Sequence, residues 1–456
     1  MRILLIKPWD NSFNWYHSHM LGIAYLAGYL RQLGHIVEIA DAGFERMGEE
    51  KLLHRIKESQ FDVAGVTAMT HEIPKARTIF KYIKSVKPDV HTVLGGPHAT
   101  ALPLETIREI PKLDFAIAGE GEKPFELLLE RIEENRFDYN GIKGLAFRTR
   151  EGAFYNGNQD CFLDLENIPQ PAVDLYYNRD WFRNNKKSEY RIFASRGCPF
   201  NCSYCMRVLG NKVRWRNIDA IVEEWIKAVR FYGATNVFFH DEIFLYNNPH
   251  THEILDKIIA SGIHKEASFV AMTHVNLVND EILEKAREAN CKKICIGVES
   301  GNNEILKRIN RNYTIEEAYA AVQKIKKHKI KPFTFYILGH PGETHNTLRD
   351  TIKSAIKINP YEMGMGIMVP YPGTEIFRLA KENKGGYRLT GADWDGYNRY
   401  GSTAMEFENF TIRQLLIYQI AGNFLFYAVN GKFTGMFRYL GPKMKAVFRL
   451  LLGKKL

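Results

Sequence analysis

From residue 2 onward, short apolar runs alternate with amphipathic segments of helical length, and this alternation constrains the fold more than any other feature. RILLIKP (2–8), IVEIADAG (36–43), VAGVTAM (63–69), HTVLGGPH (91–98) and FAIAGEGE (115–122) read as strands. Helical patterns cover 21–34, 48–59, 75–87, 103–109 and 123–135. Apolar strands separated by helices imply a parallel sheet covered on both faces. Ligands of such sheets sit beyond the carboxyl ends of the strands. Here those ends read PWDNSFNWYHSH, TAMTHE, GGPHAT and GEGE. The pair Gly95-Gly96 lets a large group approach the backbone, although ordinary turn chemistry accounts for it equally well. No G-x-G-x-x-G follows the first strand, which argues against NAD or FAD.

The length of 456 residues accommodates two domains and an appendage. Net charge is +10, but eight of those charges come from Asn409–Leu456, where eight Lys/Arg stand with no Asp or Glu. The rest is nearly neutral, so a nucleic-acid channel is not expected; the excess describes a basic tail. No apolar run reaches membrane-span length, and MRILLIKPWD reads as a strand and not as a signal peptide. Of six cysteines, Cys161, Cys291 and Cys295 lack disulfide-framework spacing, which suits a reducing cytoplasm.

Residues 136–190 lack useful periodicity apart from a hairpin near 142–160; Pro169 and Pro171 break any helix, so the segment joins two domains. Cys161 in it reads as a small buried thiol. RIFAS (191–195) then leads into RGCPFNCSYC, with Cys198, Cys202 and Cys205 at C-x3-C-x2-C. Thiolates so spaced can converge on a soft metal centre. Structural zinc would want a fourth ligand, for which Cys291 and Cys295 are distant candidates. A four-iron cluster on three cysteines would keep one iron open.

Five more strands follow, at 236–244, 268–274, 293–300, 332–339 and 364–370. Helices near 218–231, 249–260, 279–289, 314–329 and 345–358 separate them, and Thr314 with Glu317 forms a capping box. Six β/α units describe an open, partial barrel with functional residues at the strand carboxyl ends. These ends carry His240-Asp241-Glu242, GVESGN (297–302), GHPGET (339–344) and PYPGTE (370–375). Charged residues at strand ends also simply face solvent in many proteins.

The cysteine loop resembles the signature of the radical S-adenosylmethionine (SAM) superfamily. The resemblance implies that Cys198, Cys202 and Cys205 ligate three irons of a 4Fe–4S cluster whose fourth iron binds SAM. Tyr204 matches the family's aromatic near adenine, and Asp241, Glu299, Gly339 and Glu343 become SAM-binding candidates. Residues 1–140, with GIAYLAGYLRQLGH, GGPHAT and AGEGE, look like the cobalamin-binding domain preceding many radical SAM domains. Trp9, His19, Gly22, Thr67, Gly95, Gly96, His98, Gly119 and Glu120 are then candidates to bind cobalamin. In related cobalamin domains a D-x-H-x-x-G junction supplies the cobalt ligand; here H17-S-H19-M-L-G22 keeps His19 and Gly22 but lacks the aspartate. His19 is thus either an axial ligand or part of the pocket lining. Residues 141–190 become a linker, 191–384 a partial (β/α)6 radical SAM barrel, and 385–456 a mainly helical extension.

Arg214, Tyr336 and Tyr371 are candidate substrate-pocket residues; the methionines at 272, 363, 365 and 368 read as core. The resemblance implies a C-methyltransferase acting on an unactivated carbon through a 5′-deoxyadenosyl radical and methylcobalamin. The alternatives are a cyclase, oxidase or rearrangement enzyme with the same cofactors, and a non-catalytic sensor or carrier. An external one-electron reductant such as ferredoxin or flavodoxin is implied. The extension reads as helices over 412–429 and 436–456, the latter with Met444, Val447, Phe448, Leu451 and Leu452 on one side and Lys443, Lys445, Arg449 and Lys454 at its edges. Packing on the barrel and contact of 412–456 with an anionic membrane surface both fit, and the second would suit a hydrophobic or lipid-like substrate.

Overall fold

The computed structural model describes residues 1–9, 18–159, 162–398 and 402–440. His17, Cys161 and the amphipathic stretch beyond Leu440 lie outside the described residues. The chain forms two compact units. The first comprises Met1–Pro199, Met206–Asp241 and Lys265–Ala267; the second comprises Phe200–Cys205, Glu242–His264 and Ser268–Leu456.

The first unit alternates as its sequence predicts: β1 (Arg2–Lys7), α1 (Leu21–Gln32), β2 (Ile36–Asp41), α2 (Glu49–Glu58), β3 (Val63–Thr67), α3 (Ile73–Val86) and β4 (His91–Gly95). Then come α4 (Pro97–Ala101), α5 (Pro103–Glu109), β5 (Phe115–Ile117) and α6 (Glu122–Glu133). Strand order is β2-β1-β3-β4-β5, all parallel, with β1 paired on both sides from Ile3. From Ile3 onward β1 is buried throughout, as a parallel strand covered on both faces must be. The hairpin expected in the joining segment, β6 (Leu145–Thr149) and β7 (Gly152–Tyr155), corrects the purely parallel expectation: β6 pairs antiparallel on β5 and completes a seven-stranded mixed sheet. A two-residue reach at Arg150-Glu151 permits only an antiparallel return.

Residues 163–177 lie along α1, where the Ala172 N–H donates to the Ala24 carbonyl. At Gly28 a Cβ would strike the Gln170 carbonyl oxygen, so glycine in mid-helix is the condition for this approach. After α7 (Trp181–Asn184), β8 (Tyr190–Ile192) leads to β9 (Ser195–Arg196), and β10 (Arg214–Trp215) pairs antiparallel with β9. Helix α8 (Ile218–Arg230) is capped by Asn217 and buries Trp225; β11 (Asn236–Phe239) pairs parallel with β8. The strand expected to run to 244 ends at Phe239, because Asp241 turns back onto the backbone of 194 and 195.

In the second unit α9 (Pro249–Ala260), β12 (Ser268–Thr273), α10 (Asp280–Glu288), β13 (Cys291–Glu299), α11 (Asn303–Arg308), α12 (Ile315–Lys327), β14 (Lys331–Leu338), α13 (His345–Ile358) and β15 (Glu362–Ile367) follow the β/α pattern. Successive strands from β12 to β15 pair in parallel. The Thr314–Glu317 capping box opens α12 as expected. After α14 (Glu375–Lys381), β16 (Tyr387–Leu389) and β17 (Met405–Phe407) form a small antiparallel pair, an element absent from the helical expectation. Helix α15 (Ile412–Val429) packs on β15 and α13, its Gln419 side chain donating to the Met365 carbonyl at 2.7 Å, and α16 (Phe433–Leu440) folds against α15. Among the described residues no helix is long and apolar enough to cross a membrane.

Candidate functional site

Because β1 to β5 run in one direction, Trp9, Thr67, Gly95, Gly96, His98, Gly119 and Glu120 gather at one end of the first sheet. Gly96 stands at φ +96°, and a Cβ there would meet the Thr67 hydroxyl and the Ala68 backbone. At Gly95, and at Gly22 on α1, a Cβ would meet nothing, so backbone is open to an approaching group. Trp9 is buried, with the Lys75 ammonium 2.7 Å from its carbonyl. His98 is buried in α4, and burial with the Arg77 charge lowers its pKa to about 4.

His19 is fully enclosed. Its backbone N–H and ring Nδ1 both lie within hydrogen-bond distance of the Tyr177 hydroxyl, at 2.7 and 2.9 Å, and the rings of Tyr176 and Tyr190 pack against it. Burial, reinforced by Arg191, pushes its pKa to about 3, so the imidazole is neutral. The tyrosines come from the joining segment and β8, which no local reading of H-S-H-M-L-G reveals.

Glu120 and Glu122 are both buried and both paired. Arg196 reaches Glu120 at 3.2 Å and Glu122 at 2.7 Å, while Arg214 makes a second contact with Glu120 at 2.7 Å. Arg214, a substrate-pocket candidate by sequence, therefore serves as a brace, and it also donates to the Leu163 and Leu209 carbonyls. Next to Arg196, Gly197 adopts φ +100°, and a Cβ would collide with the Lys212 carbonyl. The Cys198 N–H donates to Gly210 O. Asp241 accepts from the N–H groups of Ala194 and Ser195 and from the Ser195 hydroxyl, at 2.6 to 3.1 Å. The backbone entering the cysteine loop is held by buried charge on one side and a tight turn on the other.

The rest of the loop belongs to the second unit. Cys202 accepts an N–H from Arg311 Nη1 at 3.2 Å. The same guanidinium donates through Nη2 to Gly297 O and Glu299 Oε1, and through Nε to the Tyr313 hydroxyl. The Tyr204 hydroxyl hydrogen-bonds Glu299. Burial raises the Glu299 pKa and Arg311 opposes that rise. Glu299 sits at φ +66° after a register shift in β13, a conformation that costs a non-glycine residue on the order of 1–3 kcal/mol. A Cβ on Gly297 would overlap both the Glu299 carboxylate and Arg311, so the G of GVESGN makes room for the pair. The His274 ring stacks on Phe200 with centroids 3.7 Å apart and meets Tyr313 edge-on; burial and Arg311 lower its pKa to about 3. Arg311, Tyr313 and His274 were not singled out by the sequence reading; the only signal was their place between a strand and the next long helix.

Glu343 is buried at the end of β14. Its Oε2 accepts from the Gly339 and His340 N–H groups at 2.6 and 3.0 Å, yet burial outweighs these bonds and raises its pKa to about 7. Tyr204 and the neutral His340 lie with ring centroids 5.9 Å apart. Tyr336 is buried in β14, and Tyr371 packs against Val369, Tyr397 and Ala404. Cys198, Cys202, Cys205, Cys291 and Cys295 are not in disulfides, and the last two are buried within β13. Among the described residues no three His, Cys, Asp or Glu side chains surround one point as a single ion requires.

The chain thus combines a parallel sheet with glycine-lined strand ends and a β/α ladder entered through a three-cysteine loop. The radical SAM superfamily model matches residues 192–355, and the B12 binding domain model matches residues 16–129. An uncharacterised methyltransferase of Pyrococcus horikoshii is 30% identical over 87% of this chain and 84% of that protein. The anaerobic magnesium-protoporphyrin IX monomethyl ester cyclase of Rubrivivax gelatinosus is 28% identical over 83% of this chain and 70% of that protein. Among solved structures, the radical SAM methyltransferase TsrM of Kitasatospora setae, with cobalamin and a 4Fe–4S cluster bound, has a TM-score of 0.70 at 20% identity, covering 86% of this chain and 77% of that one. The chain belongs to the radical SAM superfamily, in the branch that carries a B12-binding domain, and is a radical SAM enzyme.

Two outcomes follow from the buried carboxylates. Arg311→Met strands Glu299 in the interior and should destabilise the protein by about 3–5 kcal/mol in denaturant melts. Adding Glu299→Gln should recover part of that loss; full additivity of the two would show the pair to be uncoupled. For Glu343 the folded pKa of about 7 exceeds the ordinary 4.5, so the native state keeps a proton that the unfolded chain has lost between those values. Its contribution to stability therefore falls as pH rises across that window. Glu343→Gln should gain on the parent protein in thermal melts from pH 5 to pH 8, by up to about 3 kcal/mol. A pH-independent difference would mean that Glu343 is ionised throughout.

Proposed function

We propose that the chain is a cobalamin-dependent radical SAM C-methyltransferase acting on an unactivated carbon. The observation that carries this reading is the coupling of the cysteine loop to a buried acid: Arg311 bonds Cys202 and Glu299 at once. In this reading Cys198, Cys202 and Cys205 each hold a different iron, which does not require three thiols around one point. Their soft donors and the charge-assisted N–H···S bond at Cys202 fit a cluster whose potential depends on such bonds. The cobalamin of TsrM and the B12-binding match support placing cobalamin on the glycine-lined end of the first sheet, among Trp9, Gly22, Thr67, Gly95, Gly96, His98 and Gly119. In this reading the cobalamin-binding domain expected at 1–140 extends through the β6–β7 hairpin to Tyr155, a linker runs on to residue 190, the barrel covers 191–384 and the extension 385–456.

When bound, the cluster would supply the electron that splits the SAM sulfonium, and cobalamin would carry the methyl group. The chain's own residues bind, orient and exclude water. Tyr204 offers a ring for adenine, Glu299 and Glu343 offer carboxylates for ribose and ammonium, and the Gly339 turn brings backbone close. Asp241 and Glu120, fully engaged with backbone and arginines, position the loop. An external one-electron protein reductant such as ferredoxin or flavodoxin completes the electron balance. The magnesium-protoporphyrin relative supports a second reading, ring closure without methyl transfer.

The anaerobically reconstituted protein should convert SAM to 5′-deoxyadenosine with dithionite, and Cys202→Ala should abolish this. Methyl-deuterated SAM incubated with a host-cell extract should label a product in mass spectra, with S-adenosylhomocysteine formed alongside 5′-deoxyadenosine. Deoxyadenosine without labelled product or S-adenosylhomocysteine would favour ring closure. The Tyr177 bond and aromatic enclosure of His19 support a packing role for that residue. The reduced cobalt(II) protein should then show no histidine-nitrogen hyperfine splitting in its EPR spectrum; splitting that His19→Ala removes would make His19 the ligand.

A further inference from the structure

Helix α15 is inverted. Its packed face carries Gln419 and Asn423, buried and bonded to the Met365 and Gln419 carbonyls, among Leu415, Leu416, Gly422 and Phe426. Its outward face is apolar: Ile417 is 49% exposed, Phe424 46%, Leu425 42% and Val429 64%, and Phe433 at the start of α16 is 57% exposed. At 100° per residue the four α15 positions share one face with Ala421 and Ala428, and no charged residue occurs between Arg413 and Lys432. A helix apolar on both faces is ordinarily covered on both. Five half-exposed side chains amount to roughly 300–600 Å², the scale of the largest apolar patch on a monomer. A stable dimer buries about 800 Å² per partner, so the patch is small for a second copy.

Charge identifies the partner. Asn409–Leu456 holds eight Lys/Arg and no acidic residue, whereas the other 408 residues together carry only the remaining two of ten net charges. An apolar face set within a one-signed basic segment matches an apolar layer beneath a negative surface, and no acidic residue in the segment opposes it. We propose that α15 and the start of α16 form a monotopic docking face for an anionic lipid bilayer. Ile417, Phe424, Leu425, Val429 and Phe433 enter the headgroup–acyl boundary, and the net positive charge of Asn409–Leu456 draws the segment to an anionic surface. This docking is independent of which reaction the enzyme catalyses.

Flotation of the full-length protein with vesicles tests it. The protein should float with phosphatidylcholine vesicles containing phosphatidylglycerol, and should stay at the bottom with phosphatidylcholine alone or in high salt. Phe424→Ser/Leu425→Ser/Val429→Ser should reduce the bound fraction roughly tenfold without lowering the melting temperature, since these side chains are not core. Phe424→Trp provides a second readout: its emission, taken as the difference from the parent protein with its six tryptophans, should shift to the blue when anionic vesicles are added. No flotation with anionic vesicles, flotation unchanged in the triple variant, or no shift at Trp would each overturn the proposal. So would a dimer in sedimentation that the triple variant dissociates, which would assign the face to a second copy. Flotation gained only after truncation following Leu440 would show that the chain's own tail covers the face, and overturns it as well.

Discussion

A charge removed from water has to be paired, and the regions around the cysteine loop are organised by that requirement. Arg196 immediately precedes Gly197 and Cys198, and it is buried between Glu120 and Glu122 at the carboxyl end of β5. Arg216 and Glu224 make a second buried pair 2.8 Å apart, and Arg311 with Glu299 a third. Such pairs contribute little net stability against well-packed apolar residues, but losing one partner is expensive. They therefore restrict which conformations the loop's flanks can adopt. Asp241 does the same through backbone and hydroxyl donors.

The pairing also separates carboxylates held by several donors from those held by few. Glu120, Glu122 and Asp241 are saturated by arginines or backbone donors. Glu299 accepts from one guanidinium nitrogen of Arg311 and from a tyrosine hydroxyl, in a strained backbone position that Gly297 makes room for. Glu343 accepts from two backbone donors, yet burial raises its pKa to about 7. Strain and raised pKa values cluster at functional sites more often than elsewhere. Both lie at carboxyl ends of parallel strands, where a β/α ladder presents its ligands.

Parallel strands and their order of appearance were legible because burial on both faces writes a continuous apolar run into each strand. Elements that depend on few residues were harder to read. The strand beginning at Asn236 stops at Phe239 although Ile243 and Phe244 continue the apolar pattern, because the Asp241 carboxylate bends the chain. The β6–β7 hairpin was visible as a hairpin, but its attachment to β5 was not, since edge pairing leaves no periodic mark. Arg311 carried no motif of its own. Its meaning comes from Cys202, more than a hundred residues earlier, and from Glu299, twelve residues earlier.

Sequence alone determined the alternation of strands and helices, the three-thiol loop, the glycines at the strand ends and the basic charge of the last 48 residues. These are local properties: period, spacing and composition are written in neighbouring residues. Tertiary structure alone decided that Arg214 braces Glu120, that His19 is closed in by Tyr176, Tyr177 and Tyr190, and that α15 turns Gln419 and Asn423 inward and Phe424 outward. Each of these depends on which distant side chain supplies the missing hydrogen bond or excludes the water. A buried polar group finds its partner wherever the fold brings one, and sequence separation does not limit that choice.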